Sequence, residues 1–482
     1  MKKRILNKAA ALLFSLVLLC FLGTPAARGA ASDAGAADTS VHSSEKNTPE
    51  TGENEPSSEE IENNGGFFIR VGNKIYFRRY GHHTLESNAL FGQFLENSYS
   101  GEDTENISAM LAYDMETGQV TEVFEDAGYG RLFAGDGGFY CKRAGDGYGN
   151  IAYWISYDGS KSVDLGQAVP VGISMPAADP DKQAAFLALQ AQDPDHFGEL
   201  FILHEGRETA RAVPGEDEFL EFCGMTGEYA VYLLSDTKTN TNHLYSLSGK
   251  SGEAVCLGEM PIGKNQFYGP YLETEQFLAD EKGVYLVASY YQGTGHFLTF
   301  SLAVSAVPGT ADSLKLLASR GLATEEAEDE NVNKANEGDA ADENESNASE
   351  RDGELSPPIL FLTAPGEADI VPGPAGTAGL SETVYGDLVY YDSPYSALEL
   401  IPDFIPHKEW GSPEKKFLQT AEVVGDAVYL IAARAERNEE ADVGWRMAYK
   451  LKELEWLRVP IAAGFPNSGK EGEITSLTQE YY

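Results

Sequence analysis

The stretch Gly227-Glu228-Tyr229-Ala230-Val231-Tyr232-Leu233-Leu234-Ser235 decides how this chain is read, because its pattern returns six more times. The same Gly-(Asn/Asp/Glu)-x-x-apolar-aromatic sense stands at Gly72-Asn73-Lys74-Ile75-Tyr76-Phe77, at Gly137-Gly138-Phe139-Tyr140 and, worn down, at Lys182-Gln183-Ala184-Ala185-Phe186-Leu187. It continues at Lys282-Gly283-Val284-Tyr285-Leu286, Gly386-Asp387-Leu388-Val389-Tyr390 and Gly425-Asp426-Ala427-Val428-Tyr429-Leu430. A Val-Tyr core of this kind suits a pleated, buried surface.

Each anchor has the same neighbours. A short alternating stretch precedes it, as in Leu220-Glu221-Phe222-Cys223-Gly224 or Gln419-Thr420-Ala421-Glu422-Val423-Val424. A third strand follows, such as His243-Leu244-Tyr245-Ser246-Leu247, then a turn such as Gly249-Lys250-Ser251-Gly252 and a fourth strand, Glu253-Ala254-Val255-Cys256-Leu257. Each unit is therefore an antiparallel meander of four strands, with glycine supplying the positive φ of the tight turns. The anchor aromatics are spaced 64, 46, 46, 53, 105 and 39 residues apart. Four short strands at periods near 40 to 50 are the signature of propeller blades.

The fold class expected is all-β: a β-propeller of seven four-stranded blades, or of eight if one anchorless pair forms a blade of its own. That pair is Ile359-Leu360-Phe361-Leu362-Thr363 through Ile370-Val371-Pro372-Gly373, which echoes Leu200-Phe201-Ile202-Leu203 through Ala212-Val213-Pro214-Gly215. The two long spacings have visible causes. Gly81 to Ile107 is an insertion between second and third strands, and Thr324 to Glu354 is a low-complexity acidic run. In a meander, the loops joining strands two and three and those leading to the next blade emerge on one face. Both insertions, and the loop Tyr290-Tyr291-Gln292-Gly293-Thr294-Gly295-His296, elaborate that face.

The segment Met1 to Lys8 is basic, Ala9 to Leu22 is apolar, and Gly23 to Ala31 is rich in small residues, which is the layout of a bacterial secretory signal peptide. The organisation expected is a signal peptide over 1–30, a disordered acidic leader over 31–65, the propeller over 66–462 with a disordered acidic insertion over 324–356, and a C-terminal tail over 463–482. Cleavage gives a secreted or cell-surface protein. A lipid anchor at Cys20 is the alternative, although Val17-Leu18-Leu19 lacks the small residue wanted before a lipidated cysteine. Three cysteines then remain, Cys141, Cys223 and Cys256, expected as small buried residues on strands, with one bridge, Cys223 to Cys256 before the other pairs, as the alternative.

The net charge of -41 argues against nucleic acid as a partner and favours cations and basic partners. Residues 1–30 carry five bases and no acid, so their removal deepens the field.

The anchor followed by Ala112-Tyr113-Asp114-Met115-Glu116-Thr117-Gly118-Gln119-Val120 resembles the repeats of secreted bacterial β-propellers, including the pyrroloquinoline-quinone-type repeat with its Asp-x-x-Thr-Gly turn and the propeller-repeat lipoproteins of Gram-positive bacteria. The resemblance covers roughly residues 66 to 462 and implies architecture. Phe124 stands where the quinone-type repeat has tryptophan, so no quinone site carries over.

No catalytic, cofactor-binding or metal-ligating residue is assigned. His82-His83 lacks further ligands at metal spacing. Gly172-Ile173-Ser174-Met175-Pro176 lacks the second glycine of a nucleophile elbow. Glu221, Asp280 and Asp387, near first-strand ends, are the carboxylates placed for funnel chemistry, against the plainer expectation that they cap turn amides. Tyr290, Tyr291, Tyr391, Tyr395 and Trp410 are the aromatics placed for a glycan- or peptide-binding surface, against packing between blades. The function expected is a monomeric, non-enzymatic binding or scaffold module, taking a protein, peptide or glycan on the elaborated face. An extracellular carbohydrate-active hydrolase or lyase is the alternative.

Overall fold

In the computed structural model the described residues are 61–80, 88–90, 108–125, 127–144, 150–174, 185–262, 272–292, 297–320, 358–364, 367–372, 380–382, 388–393, 396–401, 413–441, 447–460 and 475–477. They contain no helix and form eight antiparallel sheets. The signal peptide, most of the acidic leader, the insertion over 324–356, His82-His83, Asp387, Tyr395 and Trp410 lie outside these residues.

Sheet I joins β1 (Ile61–Glu62), β2 (Phe68–Val71), β3 (Lys74–Arg79), β5 (Ala109–Asp114) and β6 (Val120–Glu125); β4 (Asn88–Leu90) leaves it. Sheet II is β7 (Tyr129–Gly135), β8 (Gly138–Ala144), β9 (Asn150–Ser156) and β10 (Ser162–Gly166). Sheet III is β11 (Ala168–Ser174), β12 (Phe186–Ala191), β13 (Leu200–His204) and β14 (Arg207–Ala212). Sheet IV is β15 (Glu218–Thr226), β16 (Tyr229–Asp236), β17 (Thr241–Ser248) and β18 (Ala254–Glu259). Sheet V is β19 (Glu273–Ala279), β20 (Val284–Gln292), β21 (Phe297–Ala306) and β22 (Lys315–Arg320). The anchorless pair is sheet VI, β23 (Pro358–Ala364) with β24 (Glu367–Pro372). Sheet VII is β25 (Leu380–Glu382), β26 (Leu388–Ser393) and β27 (Ser396–Ile401). Sheet VIII is β28 (Glu414–Val424), β29 (Ala427–Arg437), β30 (Ala448–Pro460) and β31 (Thr475–Ser476). All seven anchors fall on second strands, and the eighth unit is the pair without one.

First strands pack on first strands: β2 on β7, β7 on β11, β11 on β15 and β15 on β19, while β28 returns to β2. β19 also meets β23, and β25 meets β28, so the sheets are blades of a propeller whose last blade returns to the first. Its core is a series of layers between blades. Phe186, Ile202, Leu220 and Tyr232 fill the III/IV layer, and Val231, Leu233, Leu286 and Phe300 the IV/V layer. Tyr232 thus faces one neighbour and Val231 the other, which is why a run apolar at every position marks the anchor.

The inner strands are kinked and hollowed in a repeating way. The ladder slips one residue at Val171 in β11, Cys223 in β15, Glu275 in β19 and Gln419 in β28, and such bulges add twist. Beside them glycines admit side chains from the next inner strand: Gly135 takes Ile173, Gly172 takes Phe222 and Gly224 takes Phe277. A Cβ at Gly224 would overlap the base of the Phe277 ring, 2.2 Å from its Cδ1 and 2.4 Å from its Cγ. Gly224→Ala should therefore cost about 1–3 kcal/mol, the range for overpacking a filled core, read as a drop in the urea midpoint. An unshifted midpoint would refute this packing.

Closure of the ring is shared by distant segments. β31 pairs with β30 at Leu457 and Arg458, while β4, from the first-blade insertion, pairs with the same strand at Ala448–Lys450. The insertion expected to elaborate the loop face is thus partly built into the last blade. β1 falls within the stretch read as leader, and β31, followed by the buried Leu477, falls within the stretch read as tail.

The bridge considered between Cys223 and Cys256 does not form, and all three described cysteines are free thiols. Cys223 sits on the innermost strand of blade IV and Cys256 on the outermost. Three strand spacings, about 14 Å, exceed the reach of a disulfide.

Candidate functional site

The inner strands carry the carboxylates that stood out as candidates, and the structure shows what each one holds. Glu221 projects from β15 toward blade V, where its Oε1 accepts the Thr274 N–H at 2.6 Å. The Thr274 hydroxyl reaches the Cys223 thiol at 3.4 Å. Burial pushes the Glu221 carboxyl up to about 7, and the nearby Glu273 and Glu275 carboxylates add to the shift, while the Thr274 amide opposes it. Glu273 is itself raised by burial and by Glu275. Acids from two adjacent blades thus converge at this seam, one of them poised to exchange a proton near neutrality.

Glu422, on β28, was quoted in its strand but not singled out. Its Oε2 accepts from Asn63 Nδ2 at 2.7 Å, from the Phe67 amide at 2.9 Å and from the Phe68 amide at 3.0 Å. Burial raises its pKa, and those same donors pull it down. Next to it, Asn64 pairs both ways with Ala134, donating Nδ2–H to the carbonyl at 2.8 Å and accepting the amide at 2.7 Å. Residues 63–68 therefore bind the last blade to the first and the first to the second. A third carboxylate, Asp136, accepts the Ala185 amide of blade III at 3.0 Å and the Tyr140 hydroxyl. The repeated use is clear: acids on or beside inner strands accept N–H groups that a seam between blades would otherwise bury unpaired.

Asp280 follows the plainer expectation. Its Oδ1 accepts the amides of Lys282 at 2.8 Å and Gly283 at 2.9 Å, closing the turn before the anchor strand. Of the aromatics considered for a binding surface, Tyr290 stacks on Phe300 at 5.5 Å and packs in the IV/V layer. Tyr291 and Tyr391 lie on strands β20 and β26. Ser174 ends β11 as its last strand residue.

No group of three or more His, Cys, Asp or Glu side chains arranged to hold a metal ion occurs among the described residues. Arg78 is the most deeply buried cation among them. It donates Nε–H to the Ala127 carbonyl at 2.6 Å and Nη1–H to that of Gly130, fastening blade I to blade II from within.

No family model matches the sequence, and comparison with curated proteins gives no match. Solved structures do resemble it. The β-propeller domain of the Trilobed protease from Pyrococcus furiosus matches at 7% identity over 83% of this chain and 95% of that one, with a TM-score of 0.36. A protein from Lactobacillus plantarum matches at 11% over 77% and 99%, TM-score 0.35. An oligogalacturonate lyase in complex with manganese matches at 12% over 51% and 67%, TM-score 0.29. The likeness is one of fold. The propeller reading itself rests on the sheet order and the ring contacts above, and no activity comes from these relatives.

Proposed function

We propose that this chain is a secreted or cell-surface β-propeller, akin to the propeller-repeat proteins of bacteria, that acts as a non-enzymatic binding or scaffold module. One observation carries this reading: Glu221 and Glu422, half-buried carboxylates on inner strands, each accept backbone amides of the following blade. They serve the wall of the ring, and the loops around it are left to meet a ligand. Loops positioned by a rigid scaffold are where such proteins vary and bind.

A second reading, a carbohydrate-active hydrolase or lyase, draws on the convergence of Glu221 with Glu273 and the near-neutral pKa of the former. Acid–base chemistry needs a group of that kind. The two readings part in one experiment. The full chain is incubated with a panel of neutral and uronate polysaccharides, and new reducing ends and unsaturated products are followed alongside binding to a glycan and peptide array. Binding without turnover is the expected result. Turnover abolished by Glu221→Gln in a folded variant would overturn the proposal in favour of the enzyme.

A further inference from the structure

A corner of blade III on the loop face has the build of a docking epitope. The connection between β12 and β13, residues 192–199, is tightly braced. Asp193 Oδ1 accepts the amides of Asp195 and His196, each at 3.1 Å, Gly198 N–H donates to the Ala191 carbonyl at 3.1 Å, and Glu199 N–H donates to that of His196 at 3.0 Å. This loop holds Phe197 out at 46% exposure. Leu200 pairs with Ala212, so Val213, the next residue after Ala212, leaves the sheet at the same end, and it is 63% exposed. Few large apolar side chains among the described residues are exposed, and these two share one corner.

Beneath them the cations are already engaged. Arg211 donates to Glu208 at 2.8 and 2.5 Å and to Glu199 at 2.7 Å, lying 5.4 Å from the Phe201 ring centroid, and Glu199 also meets His196 at 3.0 Å. On the adjoining blade Lys238 is paired with Asp217. The exposed acids at the rim, Asp195 and Glu216, have no ion pair among the described residues. A rigid aromatic costs little entropy to bury, and aromatic anchors ringed by polar groups dominate interfaces.

We propose that Phe197 and Val213 form the apolar centre of a docking site for a basic, extended protein segment, whose aliphatic or aromatic residue packs on them while flanking lysines or arginines meet Asp195 and Glu216. The assignment rests on the binding-module reading and names its partner's chemistry. The strong negative charge of the chain draws such a segment in, and the apolar pair discriminates among those that arrive.

The probes are two fluorescein-labelled heptapeptides of equal charge, Lys-Leu-Lys-Trp-Lys-Leu-Lys and Lys-Gly-Lys-Ser-Lys-Gly-Lys, titrated by anisotropy against the full chain at low and moderate salt. The expected result is at least tenfold tighter binding of the first, a preference erased by Phe197→Asp, by the milder Phe197→Ala and by Val213→Asp, and kept by Leu316→Asp on the periphery of blade V. These exposed positions should leave the thermal midpoint unchanged. Equal affinity for both peptides, no binding of either, or a preference that survives Phe197→Ala would overturn the site. Those outcomes leave the broader module reading standing, since only glycan turnover through Glu221 removes that.

Discussion

Replacing Tyr232 by alanine should lower the stability of the propeller by about 3–5 kcal/mol, the range for removing a large aromatic from a packed interior. Tyr232 is 4% exposed, stacks on Tyr245 with ring centroids 5.5 Å apart and planes 12° apart, and lies in the layer shared with Leu220 of its own blade and Phe186 and Ile202 of blade III. The substitution opens a void between two blades that meet through rigid sheets, so the walls cannot collapse to fill it. Because the same position recurs as Tyr76, Tyr140, Tyr285 and Tyr429, all buried, the effect should recur at each. Urea denaturation followed by far-ultraviolet circular dichroism measures it. A midpoint equal to that of the parent would mean that the Val-Tyr segments are not the staves of the ring.

The second large effect concerns pH. In the folded chain burial holds the Glu221 carboxyl at about 7, against an ordinary value of 4.5. The native state therefore holds this proton more tightly than the unfolded chain does. Its contribution to stability is complete below the ordinary value and is lost as pH rises through about 7. Across that window the loss approaches about 3 kcal/mol, at 1.36 kcal/mol per unit of pKa. Glu221→Gln keeps an oxygen to accept the Thr274 amide and removes the titration. The variant should match the parent near pH 4 and exceed it by about 2–3 kcal/mol at pH 8. Urea midpoints at the two pH values decide the matter; a gap of the same size at both would show that Glu221 does not titrate at this seam.

The anchors were legible because their recurring Val-Tyr pattern survives without any alignment; in the six whose burial is described, second strands packed on both faces demand apolar residues at nearly every position. Even the anchorless pair Ile359–Thr363 and Ile370–Gly373 could be read, since its echo of blade III is chemical and local. Residues 63–65 were not legible. Asn63, Asn64 and Gly65 look like the end of a solvated leader, yet their amides and side chains join three blades. Their contribution is hydrogen bonding to partners distant in sequence, which leaves no periodic trace. Glu422 was hidden differently: in a chain with 76 acidic residues, one more glutamate carries no signal. Its place just before an anchor, amid Ala421, Val423 and Val424, was the available clue, because an acid in an apolar inner strand must find donors. The glycine hollows at Gly172 and Gly224 lay beyond sequence for the same reason, since the side chains that fill them belong to another blade.

The two patches along β30 tie the fastening of this blade to segments far apart in the chain. A chain emerging from its N-terminus carries Asn88–Leu90 without a mate until Lys450 has been made, and the rim beside Leu457 stays bare until Thr475 follows. The nascent product is therefore an unsealed arc until β30 and β31 have been made. Loss of Thr475 and Ser476 would expose sheet edge at the very joint where the circle is fastened, with self-association the foreseeable result.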